Sequence, residues 1–443
     1  MTSELLVMNP EAIVLAADSA VTLGNGKIFN SANKIFRLVP DASIGIMIYN
    51  KAEFMGIPWD TLIKLYRDYR HDRSPFGTVG EWKDDFLSFI SDQISDDEGS
   101  AYFEYTVHNM IANIITESTK FCRHLAVIQE EVSRDDYKRV LQRVIEGYHR
   151  EYDGLETEYC LDELSRTAFV NAADLVIQEK IGILIEPDLL SPETNSLLST
   201  TLINWFTQAV RVGNRLENDL STGIVIAGFG EGEKYPSYDS FLIIGKIFGQ
   251  SLFFNGVSCR IGYIPGENDC HANIVAFAQS DMINLFMDGI DPDICHDFEK
   301  LHGVLISDYP RTVIRLIMGI LREDNYISDI SQATQEKIIE RLLELQEDIK
   351  GKVEEDVNRR TSKHSQATTD IVGHLPKDEL AAFAETLINL TSFKRRMSSD
   401  AETVGGPIDV AVVSKKDGFV WLKRKHYFDP TLNPHVIQDL LRQ

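Results

Sequence analysis

Residues 2–34 read TSELLVMNPEAIVLAADSAVTLGNGKIFNSANK, and this stretch decides the fold. Residues 4–17 divide at Asn9-Pro10 into two short apolar runs, the pattern of two strands joined by a turn. The run IVLAA has no polar break, as expected of a strand covered on both faces. Gly24-Asn25-Gly26 marks the next turn. Residues 27–39 and 43–49 read as further strands on either side of Pro40-Asp41-Ala42. Within this apolar text Asp18 and Lys34 stand out. They are sixteen positions apart, and Thr2 lies sixteen positions before Asp18.

That spacing has a chemical reading. A threonine hydroxyl is a weak nucleophile near neutral pH unless a base sits beside it. One solution uses the threonine's own α-amine, which titrates near ~7.7–8.0. It requires the threonine to be residue one of the mature chain. Thr2 follows Met1 directly, and a small second residue permits methionine removal. A lysine near the hydroxyl would favour its ionised form, and a carboxylate would keep that lysine charged in a buried place. The same residues also admit a plain reading, with Asp18 capping a turn and Lys34 reaching water from an edge strand.

The totals narrow the partners. The chain has 443 residues, enough for two or three lobes, with 44 Lys plus Arg against 68 Asp plus Glu and a formal net charge of −24. Such a surface repels phosphate backbones and anionic lipid, so neither nucleic acid nor membrane is expected as a partner. The basic runs at 394–397 and 423–426 read as solvated faces. The five cysteines, at 122, 160, 259, 270 and 295, are scattered and suit unpaired thiols in a reducing compartment. No metal or cofactor is expected. The Cys-His dipeptides at 270–271 and 295–296 have no further ligand motif, and Gly228–Gly232 lacks the pattern of a phosphate loop. No apolar run reaches the ~18 residues of a membrane helix. Glu4 stands where a signal peptide would be basic, so a cytoplasmic location is expected.

Strand patterns recur at 222–247, as a short strand pair at 251–265, and in IDVAVVSKKDGFVWL, whose Asp-Gly pair marks a hairpin. Amphipathic helical text fills about 79–220 and 280–390, with a loop expected at 364–371. We therefore divide the chain into a sheet-bearing core at 1–78, 221–290 and 379–443, interrupted by helical insertions at 79–220 and 291–378.

Thr2, Asp18 and Lys34, together with AADSAVTLGN and ANKIFRL, resemble the opening of proteasome β subunits and HslV-type peptidases, members of the N-terminal nucleophile hydrolases. GIVIAGFGEGEKYPSYDS and VGGPIDVAVVSKKDGFVWL resemble the central hairpin and closing strands of proteasome subunits. The match covers three pieces and leaves the helical blocks without counterparts of that size. The resemblance implies an α/β (α+β) fold, a four-layer αββα sandwich carrying the two insertions. It implies Thr2 as nucleophile and base, Lys34 as its tuning cation and Asp18 as the anchor of Lys34. By the same resemblance the Tyr49 N–H is the oxyanion donor, where the family has glycine, and its side chain puts bulk where a peptide would approach. Ser280 and Asp400 stand for the supporting serine and aspartate. Asp400 fits only with one inserted residue, and Thr403 takes the place of a serine. Val21, Ala32, Met47 and Lys51 would line the specificity pocket, with Lys51 suited to an acidic group. A peptide or protein substrate, a homo-oligomer and an ATP-dependent unfoldase partner are what the family implies. Two alternatives stay open: a scaffold of this fold without turnover, acting through its helical insertions, and a small-molecule amidohydrolase.

Overall fold

The strand–turn–strand text of residues 4–17 builds the first of two sheets in a computed structural model of the chain. The structure describes residues 3–22, 27–129, 132–151, 154–212, 215–262, 269–291, 332–397 and 404–426, with isolated positions at 294, 297, 312, 314–317, 319–320 and 432–433. β1 (Glu4–Met8) and β2 (Ala12–Ala17) form a hairpin. Asn9 closes it, its Oδ1 accepting the N–H groups of Glu11 and Ala12 at 3.0 and 3.3 Å. The short strands β3 (Val21–Thr22) and β4 (Ile28–Phe29) pair beyond Asp18. β5 (Ile35–Arg37) pairs with β6 (Ser43–Tyr49), and a small hairpin of β7 (Glu53–Phe54) and β8 (Ile57–Pro58) leads into α1 (Trp59–Arg70) and α2 (Val79–Asp92).

Helices α3 (Asp96–Gln129), α4 (Arg134–Arg150), α5 (Glu163–Leu184) and α6 (Pro192–Thr207) follow. A small sheet joins β9 (Thr157–Tyr159), β10 (Gln208–Val212) and β11 (Arg215–Glu217). Next come β12 (Thr222–Phe229), β13 (Ser237–Ile247), β14 (Gln250–Ile261), β15 (Asp269–Cys270), β16 (Asn273–Ala276) and α7 (Asp281–Asp288). The described chain closes with α8 (Gln332–Val372), α9 (Lys377–Met397), β17 (Asp409–Ser414) and β18 (Gly418–Lys423).

The fold is mixed α/β with two main sheets. One runs β16-β1-β2-β17-β18 and the other β15-β14-β13-β12-β6-β5. Neighbours are antiparallel except β14 and β15. Period-two alternation sorts the side chains to the two faces. Leu6, Met8, Ile13, Leu15 and Val413 of the first sheet share an apolar cluster with Met47, Val225 and Ala227 of the second. Leu5, Val7, Val14 and Ala16, on the other face of the first sheet, pack with Ala384, Leu387 and Ile388 of α9. Ile44, Ile46, Ile224 and Ile226, on the other face of the second, pack with Trp59 and Ile63 of α1 and Trp82 and Phe86 of α2. Both sheets are therefore covered twice, which is why their strands read as unbroken apolar runs. A further cluster gathers Phe103, Ile111, Phe169, Leu198 and Phe206 of the helical block against Leu252 and Phe254 of β14.

Several expectations change. The helix over 79–92 packs with α1 on the second sheet, where its capping box at Thr78 and Glu81 starts it, and not with the helices that follow. Residues 27–39 form two separate strands with Lys34 between them, and 251–261 belong to one long strand. The loop expected at 364–371 is the last part of α8. Its hydroxyls turn back onto the helix, Thr369 Oγ1 donating to Ser365 C=O at 3.0 Å, so polar composition alone did not end it. Cys259 and Cys270 are joined as a disulfide, against the expectation of unpaired thiols. β15 returns parallel to the end of β14, with Asp269 opposite Arg260, and this return brings residues eleven apart together. Among the described residues, no helix is long and apolar enough to cross a membrane.

Candidate active site

Strand register carries the charged groups inward. Glu4 pairs with Ala17 across β1 and β2, so the next pair sets Ser3 opposite Asp18. Asp18 N–H donates to Ser3 C=O at 3.1 Å, and Ser3 N–H donates to Asp18 Oδ1 at 3.1 Å. Asp18 Oδ2 accepts Ala20 N–H at 3.3 Å and Gly405 N–H at 2.9 Å. Lys34, one residue before β5, places its ammonium on Asp18 Oδ1 and lies 3.1 Å from Glu4 Oε1. Its own carbonyl accepts Ile48 N–H at 2.8 Å, which fastens it to β6. Exposure is 5% for Lys34, 1% for Asp18 and 0% for Glu4. Buried ions cost several kcal/mol each unless paired and hydrogen-bonded. Here one ammonium meets two carboxylates, and three backbone donors fill the remaining sites on Asp18.

The loop at 404–407 clasps this corner. Ser19 N–H donates to Gly405 C=O at 3.2 Å, and Ser19 Oγ donates to Pro407 C=O. Gly406 has φ +78°, and a Cβ there would sit 2.8 Å from Asn30 Cβ, so both backbone and space call for glycine. Behind Asp18 a cleft of about 350 Å³ opens, lined by Gly405, Gly406 and Ile408 and by Asn389, Phe393 and Arg396 of α9.

Beside this group lies a second lysine pair. Asp409 on β17 faces Ala17, next to Asp18, and holds both the ammonium of Lys425 and its backbone N–H, the latter at 2.8 Å. Burial pulls the Lys425 amine below its ordinary range; Asp409 opposes this, and Lys34 adds to it. The basic run at 423–426 is thus not simply a solvated face.

Tyr49, at the end of β6, lies over Gly223 of β12. A Cβ on Gly223 would come within 1.9 Å of the ring, so the glycine makes room for it. The ring centroid is 5.7 Å from that of Phe277. Burial pushes the Tyr49 phenol upward, Arg215 opposes it, and Glu4 and Glu217 add to it. The ring is thus folded onto the sheet. Ser280 precedes α7, and its Oγ accepts from Arg215 Nη2 at 3.0 Å and Asn284 Nδ2 at 3.2 Å. Arg215 also donates to Ala278 C=O at 2.9 Å. Phe277 N–H donates to Glu4 C=O at 2.9 Å, so the segment leading to Ser280 runs antiparallel past the start of β1.

The structure therefore brings Asp18, Lys34 and Glu4 together, while Ser280 is held by Arg215 and Asn284. Val21 and Ala32 are half-buried near the same corner, Ala32 N–H donating to Ser19 C=O at 3.1 Å. Met47 has 0% exposure within the cluster between the sheets. Burial lowers the Lys51 amine, and its neighbouring acids are the protein's own Glu53 and Asp219. Thr2, Asp400 and Thr403 lie outside the described residues. Glu4, Arg215 and Lys425 are the residues missed. Glu4 was visible as the one charge inside the first apolar strand; Arg215 carries no comparable signal.

No protein-family model matches the chain, and neither does any curated protein. Among solved structures, the chain is similar to the Anbu (Gly-1) mutant from Hyphomicrobium sp. strain MC1. The identity is 11% and the TM-score 0.27, over 100% of this chain and 96% of that one. A TM-score of 0.27 is too low for that likeness to bear on fold or function.

Proposed function

We propose that the chain is an N-terminal nucleophile hydrolase of four-layer αββα architecture, cleaving an amide bond in a peptide or smaller substrate through Thr2 once Met1 is removed. The observation that carries this reading is the buried Asp18–Lys34–Glu4 group, whose Asp18 accepts the N–H of Ser3, one peptide bond from Thr2. Alternate residues of a strand share a face. Leu6 and Met8 of β1 face the second sheet, and Glu4 on the same strand reaches Lys34.

In this reading the free α-amine takes the hydroxyl proton as Thr2 Oγ1 bonds to the substrate carbonyl carbon. Lys34 favours the developing negative charge on Thr2. The tetrahedral intermediate expels the amine, which takes the proton back, and leaves an acyl ester on Thr2. Water, deprotonated by the same α-amine, then releases the acid. Tyr49 N–H is the candidate oxyanion donor and Ser280 a supporting hydroxyl.

The test is intact-mass analysis of purified protein combined with turnover of short fluorogenic peptide amides. Loss of Met1 and turnover that Thr2→Ala abolishes are expected. Retained Met1, or turnover unchanged in Thr2→Ala, would overturn the proposal. A second reading, a scaffold without turnover, is favoured by the exposure of Leu164, Leu175 and Ile183 on α5, at 82%, 75% and 65%. It expects Leu175→Glu, and not Thr2→Ala, to remove the cellular phenotype.

A further inference from the structure

Between Cys270 and Asn273 the chain leaves the second sheet, where β15 is an edge strand, and enters the first, where β16 is one. Backbone pairing holds β15 weakly at this crossing. Its register covers only Arg260–Asp269 and Ile261–Cys270, with Gly262 N–H donating to Cys270 C=O at 3.1 Å. The Cys259–Cys270 disulfide ties the same point covalently. The arm that follows carries Phe277, whose N–H meets Glu4 C=O, and Ser280, whose Oγ accepts from Arg215. It also carries an unmet cost. Gln279 is 6% exposed, and neither atom of its carboxamide has a hydrogen-bond partner among the described residues. A buried amide left unpaired favours any arrangement that gives it water. Cys259 and Cys270 are half-buried, open to small thiols. Cys122 and Cys160 are poorer partners for such chemistry, because burial raises both thiols, that of Cys160 to about 12.

We propose that Cys259 and Cys270 form a reversible redox latch on the 270–280 arm, closed by small-molecule disulfides and opened by small thiols. In closing, one cysteine thiolate attacks a sulfur of the small disulfide RSSR and expels RS⁻. The other thiolate then attacks the protein sulfur of that mixed disulfide and expels the second RS⁻. Two protein thiols and one RSSR become one protein disulfide and two RSH, so the protein loses two electrons and RSSR gains them. Opening runs the same steps backward. With the latch open, β15 keeps only its short backbone pairing, and the arm can leave the sheet edge and give Gln279 water. The latch does not depend on the hydrolase reading.

The test equilibrates the full-length protein in oxidised or in reduced glutathione. Thiol alkylation with intact mass reads the redox state, and amide hydrogen exchange reads the arm. Oxidised glutathione is expected to remove two alkylatable thiols from wild type and reduced glutathione to restore them. Exchange in peptides covering 273–280 should be on the order of tenfold faster in the reduced protein, while peptides of α1 stay unchanged. Cys259→Ser should exchange at the fast rate in both buffers, and Cys270→Ser decides the matter if that variant does not fold. Gln279→Leu removes the unpaired amide and should narrow the difference between the two states. A pair that stays joined in excess reduced glutathione, or that never joins in the oxidised form, overturns the latch. Equal exchange of the arm in both states overturns its hold on the arm, and a difference in Gln279→Leu as large as in wild type overturns the part given to Gln279.

Discussion

Two lysines, Lys34 buried and Lys425 half-buried, stand against carboxylates near one another, and they are built differently. Lys34 draws on distant pieces of chain: Glu4 from β1, Asp18 from the end of β2, and Gly405 behind Asp18. Lys425 and Asp409 flank a single hairpin, and Asp409 also takes the Lys425 backbone N–H. The first is a tertiary device that exists only when both sheets are assembled. The second is a local clasp that the hairpin nearly dictates. The contrast teaches that burying a lysine is not in itself a sign of chemistry. What distinguishes Lys34 is that two carboxylates from different strand segments meet it and that one of them, Asp18, accepts the Ser3 N–H.

The comparison can be broken or sharpened by substitution. Lys34→Met leaves Asp18 and Glu4 facing each other without their cation. It should lower unfolding free energy by about 3–5 kcal/mol in denaturant titration and abolish electrophile labelling of Thr2. Asp18→Asn keeps the shape but loses the ion pair and turns a donor toward backbone N–H groups, with a loss of about 2–3 kcal/mol by the same titration.

Lys425→Met should cost less, about 1–2 kcal/mol, because only one carboxylate is stranded. Its pH dependence is a sharper mark. Burial depresses the Lys425 amine in the folded chain, so the unfolded chain binds more protons between that lowered value and the ordinary lysine value of 10.5. Wild type should therefore gain stability over Lys425→Met as pH rises through that window, and lose it again on return. A flat difference across the window would mean that water reaches this lysine. At the small end, the exposed i,i+4 pair Lys64–Asp60 is a control, and Lys64→Ala should change unfolding by less than about 0.5 kcal/mol.

Much of this was legible in residues 2–34. Unbroken apolar runs in β1 and β2 announced strands covered on both faces, and even spacing singled out Asp18 and Lys34. Glu4 was equally visible but was read only for what it says about a leader. One charge in an apolar strand has no meaning until its register partner is known. Arg215 could not be read at all, because it reaches Ser280 from a hairpin that closes the helical block. The end of α8 was misjudged from its serines and threonines, which satisfy themselves on helix carbonyls. The pairing of Cys259 with Cys270 depends on the return of β15, which no cysteine spacing signals.

The most direct test of the Lys34 group as a nucleophile-activating device is adduct mapping with a peptide vinyl sulfone or epoxyketone on purified wild type and Lys34→Met. We expect one adduct, on Thr2 of a chain lacking Met1, in wild type and none in Lys34→Met. An adduct formed equally fast in both proteins, or none in a wild type that has lost Met1, would contradict it.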